Sequence, residues 1–327
     1  MSKLKILSGM RPTGRLHIGH LTVLSNWMRL QEEHDCYFFV ADWHALTTSY
    51  DETQPIKDNI REMLADWLAV GIDPEKSTVF VQSMVPEHAE LHLLFSMFTP
   101  LSWLERVPTY KDQIQKLAEK GKDISTYGFL GYPLLQSADI LMYRADAVPV
   151  GQDQLPHIEL CREVARRFNY LYAPVFPEPQ GLVAETPLLP GIDGRKMSKS
   201  YNNEIQLAVE ADDLQQRVRM MVTDPARIRK NDPGHPEVCT VFTFHNIYSP
   251  DEVGNIAEAC RKGEIGCVAC KKELAVALDT VLAPIRERRT AILSKPSYLD
   301  EVMEYGKKKA RKVAVKTLEL VRTAMHI

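Results

Sequence analysis

Residues 6–20, ILSGMRPTGRLHIGH, constrain the fold more than any other stretch of this chain. Ile6 and Leu7 close an apolar strand, residues 9–14 hold turn formers, and Gly19 precedes an amphipathic run over 21–30. The segment therefore reads as strand, turn and helix start. A helix opening there leaves free N–H groups and a positive dipole end, which favour an anion such as a phosphate. His17 and His20, three residues apart, can turn two imidazole donors toward the same oxygens. Gly19 lets a flat base approach the backbone.

The alternation continues downstream. YFFVADWH (37–44) reads as a strand buried on both faces. Ile56, Ile60, Met63, Leu64, Trp67 and Leu68 then fall on one helix face, opened by Pro55 and closed by Gly71. STVFVQS (77–83) is a third strand, 87–130 a mostly helical connecting segment, and 132–143 a further helix. AVPVG (147–151) is a strand and 153–168 a helix, so VPVGQDQ repeats the strand-turn-helix logic of residues 6–20. Such alternation predicts an α/β fold, a Rossmann-like doubly wound parallel sheet that binds nucleotides at the carboxyl ends of its strands. Past residue 200 helical patterns dominate. The expected division, near Asn203, gives a nucleotide-binding domain over 1–203 and an all-helical domain over 204–327. A chain of 327 residues is long enough for two cores. No apolar run reaches the roughly 18 residues of a membrane helix and none resembles a signal peptide, so a cytoplasmic protein is expected.

KMSKS (196–200) lies in the turn-rich stretch PGIDGRKMSKSYNN. Two lysines and two serines on a Gly-flanked loop can close on a polyphosphate and hold charge developing on a leaving group. Taken singly, HIGH (17–20) is a turn and KMSKS a pair of surface lysines. Together, about 175 residues apart, they make the chain resemble a class I aminoacyl-tRNA synthetase. YPLLQSADILMY and VPVGQDQLPHIEL are similar to the tryptophanyl branch, and the resemblance covers essentially the whole chain.

The resemblance implies activation of L-tryptophan with ATP and its transfer to tRNA(Trp), by a homodimer. It implies catalytic roles for His17, Gly19, His20, Lys196, Met197, Ser198, Lys199 and Ser200. ATP would also meet Arg11, Pro12, Thr13, Gly151, Gln152 and Asp153. Tryptophan would meet Leu7, Tyr132, Gln136, Asp139 and Gln154, with Asp139 accepting the indole N–H and Tyr132 and Gln154 holding the ammonium. Mg²⁺ would travel with the triphosphate. Positioning and charge stabilisation suffice for this chemistry, so no covalent nucleophile is needed. The connecting segment is too short for an editing domain. The chain departs from the family at Gln136, where Met is common, and at Arg11, where Gln is common. The nearest rival is the tyrosyl branch, whose first-strand tyrosine and following acidic residue are here Leu7 and Arg11. An RNA-binding or amino-acid-sensing relative without charging activity is a further alternative. A nucleotidyltransferase is third, since it would not need the helical domain.

Two features remain. Residues 285–327 carry 11 Lys and Arg against 5 Asp and Glu, in a chain of net charge -3, which suits an RNA-contacting face on an acidic body. Arg217, Arg219, Arg227, Arg229 and Lys230 are further candidate phosphate contacts. Of the six cysteines, Cys36 and Cys161 read as core residues. Cys239, Cys260, Cys267 and Cys270 are separated by 20, 6 and 2 residues. In a cytoplasmic chain that clustering points to a metal, with zinc the default from spacing and an iron-sulfur cluster the alternative. The resemblance favours a [4Fe-4S] cluster beside the anticodon-binding region.

Overall fold

The computed structural model describes residues 3–118, 124–183 and 189–327; of the expected connecting segment, residues 119–123 lie outside the described residues. Five parallel strands are ordered β3-β2-β1-β4-β5: β1 Lys5–Met10, β2 Asp35–Val40, β3 Thr78–Val81, β4 Ala147–Val150 and β5 Gln180–Val183. The helices between them are α1 Leu21–Glu33, α2 Asp42–Ser49, α3 Ile56–Val70, α4 Glu87–Ser96, α5 Leu101–Glu105, α6 Pro108–Ala118, α7 Tyr127–Met142 and α8 Leu155–Leu171. The strand order reverses between β1 and β4, and such a switch point opens a crevice at the carboxyl ends of the strands.

The expected strand over 37–44 ends at Val40. Asp42 and Trp43 begin α2 instead. The Asp42 carboxylate accepts from the Ser83 N–H at 3.0 Å, and the Trp43 N–H donates to Gln82 at 3.2 Å, which turns the chain out of the sheet. His44 therefore faces the crevice from a helix. Likewise β3 stops at Val81, and residues 82–84 form a short 3-10 turn.

The helices after the sheet are α9 Ala211–Met220, α10 Thr240–Tyr248, α11 Val253–Arg261, α12 Cys267–Leu293 and α13 Pro296–Met325. Their apolar faces share cores with the sheet. Leu274, Leu278, Leu282 and Ile285 of α12 join the cluster of Ile6, Trp27, Phe38 and Trp67, while Ala310, Ala314, Leu318 and Val321 of α13 join that of Phe80, Phe95 and Phe168. α13 lies so close to edge strand β3 that a Cβ on Gly306 would sit 1.7 Å from the Val79 carbonyl oxygen. A helix pressed there covers the sheet edge.

Candidate functional site

The crevice holds a cavity of about 850 Å³, walled by the ends of β1 and β4, by α2 and α7, and by the turn leading into α8. Leu7, Arg11, Thr13, His20, Tyr132, Gln136, Asp139, Gly151, Asp153 and Gln154 line it. Pro12, His17, Gly19, Gln152 and residues 196–200 are not among its lining residues.

At the mouth, the 3-10 turn Ile18–His20 ends in His20 and is capped by His17, the two ring centroids 3.9 Å apart. His17 Nδ1 accepts from the Gly19 N–H at 3.2 Å, and His20 Nδ1 lies 3.2 Å from both the N–H and the carbonyl oxygen of His17. In His17 the accepting Nδ1 leaves the proton on Nε2. Burial first, then the neighbouring imidazole and Lys199, lower His17 to about 3; burial, and more weakly Lys199, lower His20 to about 4 against its bond to His17. Both rings are therefore neutral near pH 7. Gly19 has a structural reason as well: a Cβ there would meet the His17 ring at 3.0 Å.

The 196–200 loop reaches this turn. Lys199 Nζ donates to the Thr13 carbonyl at 2.5 Å, and the Met197 sulfur stands 3.7 Å from where a Gly19 Cβ would be. Burial lowers the Lys199 pKa while Asp66 and Glu204 raise it. Buried Asn203 holds the loop shut, accepting from the Ser198 N–H at 2.7 Å and donating to Asp193 at 2.7 Å. Ser200 lies in the short 3-10 turn Lys199–Tyr201.

At the floor, Asp139 is fully buried. Its Oδ1 accepts from His88 Nδ1 at 2.6 Å and Gln82 Nε2 at 2.8 Å, and its Oδ2 from His44 Nε2 at 2.7 Å and Gln82 at 3.0 Å. The Tyr143 hydroxyl backs His88 Nε2 at 2.7 Å. Burial would raise the Asp139 carboxyl, but the bonds from His44 and His88 hold it at about 2. A second chain of contacts runs from the Tyr132 hydroxyl to Thr109 at 2.9 Å and from Thr109 to His157 Nε2 at 2.7 Å.

His44, Gln82, His88, Tyr143, Thr109 and His157 escape sequence reasoning. One signal was present: His88 opens a helix just after a parallel strand, the same setting as His17 and His20.

Some charged residues are already engaged. Arg217 donates to the Asn202 carbonyl and side chain, at 2.7 and 2.8 Å, and Arg227 to the carbonyls of Lys230 and Ile265, each at 2.6 Å. Arg219, Arg229 and Lys230 stay exposed.

The four clustered cysteines gather in space. Cys239 caps α10, Cys260 lies near the end of α11, and Cys267 and Cys270 share the first turn of α12. Burial first, then the charges of Cys239, Cys260, Glu273 and Cys267, push Cys270 up to about 12. Among the described residues no three His, Cys, Asp or Glu side chains form a group that could hold a metal ion.

A doubly wound sheet with a two-histidine turn and a lysine loop meeting at its switch point defines a class I nucleotide-activating enzyme. The family model described as tRNA synthetases class I (W and Y) matches residues 1–283, and the chain belongs to that family. It is 56% identical over 328 residues to the tryptophan–tRNA ligase of Thermotoga maritima, covering 99% of both chains. It is 46% identical to that of Aquifex aeolicus, covering 99% of this chain and all of the relative. The tryptophanyl-tRNA synthetase of Campylobacter jejuni, solved with ADP and tryptophan, superposes with a TM-score of 0.90 at 32% identity, covering 99% of this chain and all of that one.

Proposed function

We propose that the chain activates L-tryptophan with ATP and transfers it to tRNA(Trp). The observation that carries this is the meeting of residues 17–20 and 196–200 at the mouth of a cavity whose floor is the buried, charged Asp139. The tryptophan carboxylate attacks the α-phosphate and pyrophosphate leaves. His17 offers a neutral Nε2–H donor and His20 a neutral imidazole to the phosphates, and Lys196 and Lys199 neutralise charge on the departing pyrophosphate. Mg²⁺ arrives with ATP and shields the triphosphate. Arg11, Thr13, Gly151 and Asp153 bound the nucleotide side. Tyr132, Gln136 and Gln154 face the amino acid, and Asp139 accepts its indole N–H. A site built around one buried acceptor rejects amino acids lacking the donor.

The expected result in ATP/pyrophosphate exchange with each of the twenty amino acids is exchange with tryptophan and far less with tyrosine. Equal exchange with tyrosine would reject the assignment. Leu7, buried where a tyrosyl enzyme places its phenol partner, supports the prediction.

Within this reading, 1–203 catalyses and 204–327 carries the anticodon contacts, and the work of charging tRNA places the protein in the cytoplasm. A homodimer is supported by exposed Leu93 on α4, Met97 just after it and Leu101 on α5, and by an apolar hollow of about 390 Å³ walled by Trp43, Leu46 and Leu135. Cys239, Cys260, Cys267 and Cys270 hold a [4Fe-4S] cluster. Thiols that raise one another's pKa, beside Arg227, whose guanidinium stands 3.7 Å from Cys260 Sγ, suit an anionic group.

A further inference from the structure

The turn at residues 16–20 is fixed from behind by a buried charge. The Leu16 N–H donates to Asp66 Oδ2 at 2.6 Å, and Asp66 Oδ1 accepts from Arg289 Nε at 2.7 Å. Asp66, on α3, and Arg289, on α12, are both buried. The same guanidinium reaches Glu62 at 2.5 Å, and Glu62 also accepts from Arg15 at 2.7 Å. On its other side the turn is held by residues 205–207: the Ile18 N–H donates to the Ile205 carbonyl at 2.8 Å, and the Leu207 N–H to the Leu16 carbonyl at 3.0 Å. Asp66 and Arg289 thus complete the frame around the turn.

We propose that Asp66 and Arg289 are positioning residues for the ATP step, so that the phosphate-binding turn is in register only when α12 is docked on α3. A buried carboxylate persists only when paired. Without Arg289, Asp66 would take up a proton or draw water, and in either case its hold on Leu16 changes. A displacement of about 1 Å at a reacting centre costs on the order of 10²-fold in rate. The tryptophan floor, built from α2, α4 and α7, has no share in this bond and should not respond. α12 also begins at Cys267 and Cys270, so the four-cysteine region and the ATP turn are carried on one helix.

This inference rests on the ATP-activation reading, and its test separates the two. In the full chain, Arg289→Met should lower kcat for tryptophan-dependent pyrophosphate exchange by about 10- to 100-fold and raise KM for ATP. Tryptophan affinity, measured by equilibrium binding, should stay within about twofold. Asp66→Asn should behave similarly, and the double variant should be no worse than the worse single one, since both break one bond. Arg289→Lys keeps a charge beside Asp66 and should recover part of the rate; it also serves if the Met variant folds poorly. Arg322→Met, which removes an ion pair between α13 and Glu90 of α4 and touches neither α3 nor α12, should leave the rate within about twofold. Hydrogen exchange of residues 15–20 should quicken in Arg289→Met. That readout needs no amino acid and stands even if tryptophan is not the substrate. Additive losses, parallel loss of tryptophan and ATP affinity, or a lowered melting temperature with unchanged ATP kinetics would overturn the proposal.

Discussion

Asp139 is a carboxylate in a wall that would neutralise it, and three donors from α2, from the turn after β3 and from α4 keep it charged. With its pKa at about 2, below the roughly 3.9 of an unfolded chain, its stabilising contribution is complete above pH 4 and is lost as pH falls through 2. The imidazoles have the opposite dependence. Burial lowers His17 to about 3 and His20 and His157 to about 4, against roughly 6.5 in the unfolded chain. The unfolded state therefore takes up these protons first. The melting temperature should fall steadily from about pH 6.5 toward pH 4, and His157→Asn should make the decline shallower. A constant melting temperature across that window would mean the rings are not buried as neutral groups. Asp139→Ala should weaken tryptophan binding far more than ATP binding, checked by measuring both affinities; equal losses would make Asp139 a structural residue. The family resemblance singled out Asp139, but not its partners, because Gln82 and His88 lie more than 50 residues away and no periodicity marks such a contact.

The 196–200 loop owes its shape to a few backbone requirements. Gly194 takes a φ of +80°, and a Cβ on Gly191 would lie 2.3 Å from Asn203 Nδ2, so both glycines serve the latch that Asn203 closes. Lys199→Ala and Lys196→Ala should each lower the activation rate on the order of 10²-fold, as when one transition-state donor is removed, with tryptophan affinity little changed. Asn203→Ala should lower the same rate while leaving both lysines in place. Rates within about twofold of the unaltered chain in pre-steady-state measurements would make these ordinary surface lysines. Sequence reading found this loop only by pairing KMSKS with HIGH, since alone it reads as surface lysines. It ran β2 on through Asp42, Trp43 and His44 because apolar content alone cannot show where a strand ends; a carboxylate bonding to the Ser83 N–H decides that. β5 went unnoticed because QGLV is short, carries a glycine and does not alternate.

At the scale of the whole molecule, the helical pattern after residue 203 was legible from its 3.6-residue period, but where those helices dock was not. α12 returns to α3 and α13 covers the edge of β3, contacts set by complementary surfaces more than 200 residues apart. The four-cysteine region lies at the far end of this arrangement. α12 alone spans 27 residues, about 40 Å at 1.5 Å per residue. Iron there would hold α10, α11 and the start of α12 together, and exposed Arg219, Arg229 and Lys230 lie close to it in sequence. Its loss should therefore loosen the proposed RNA-contacting surface before it disturbs the proposed tryptophan floor. Purified without air, the protein should be brown, absorb broadly in the visible and contain about four irons per chain. Bleaching the cluster should reduce tRNA charging more than tryptophan-dependent pyrophosphate exchange. Cys260→Ser should reproduce that imbalance. One zinc and no iron per chain in anaerobic protein would keep a metal site but reject the cluster. Metal-free protein that charges tRNA at full rate would make the four thiols packing residues around α12.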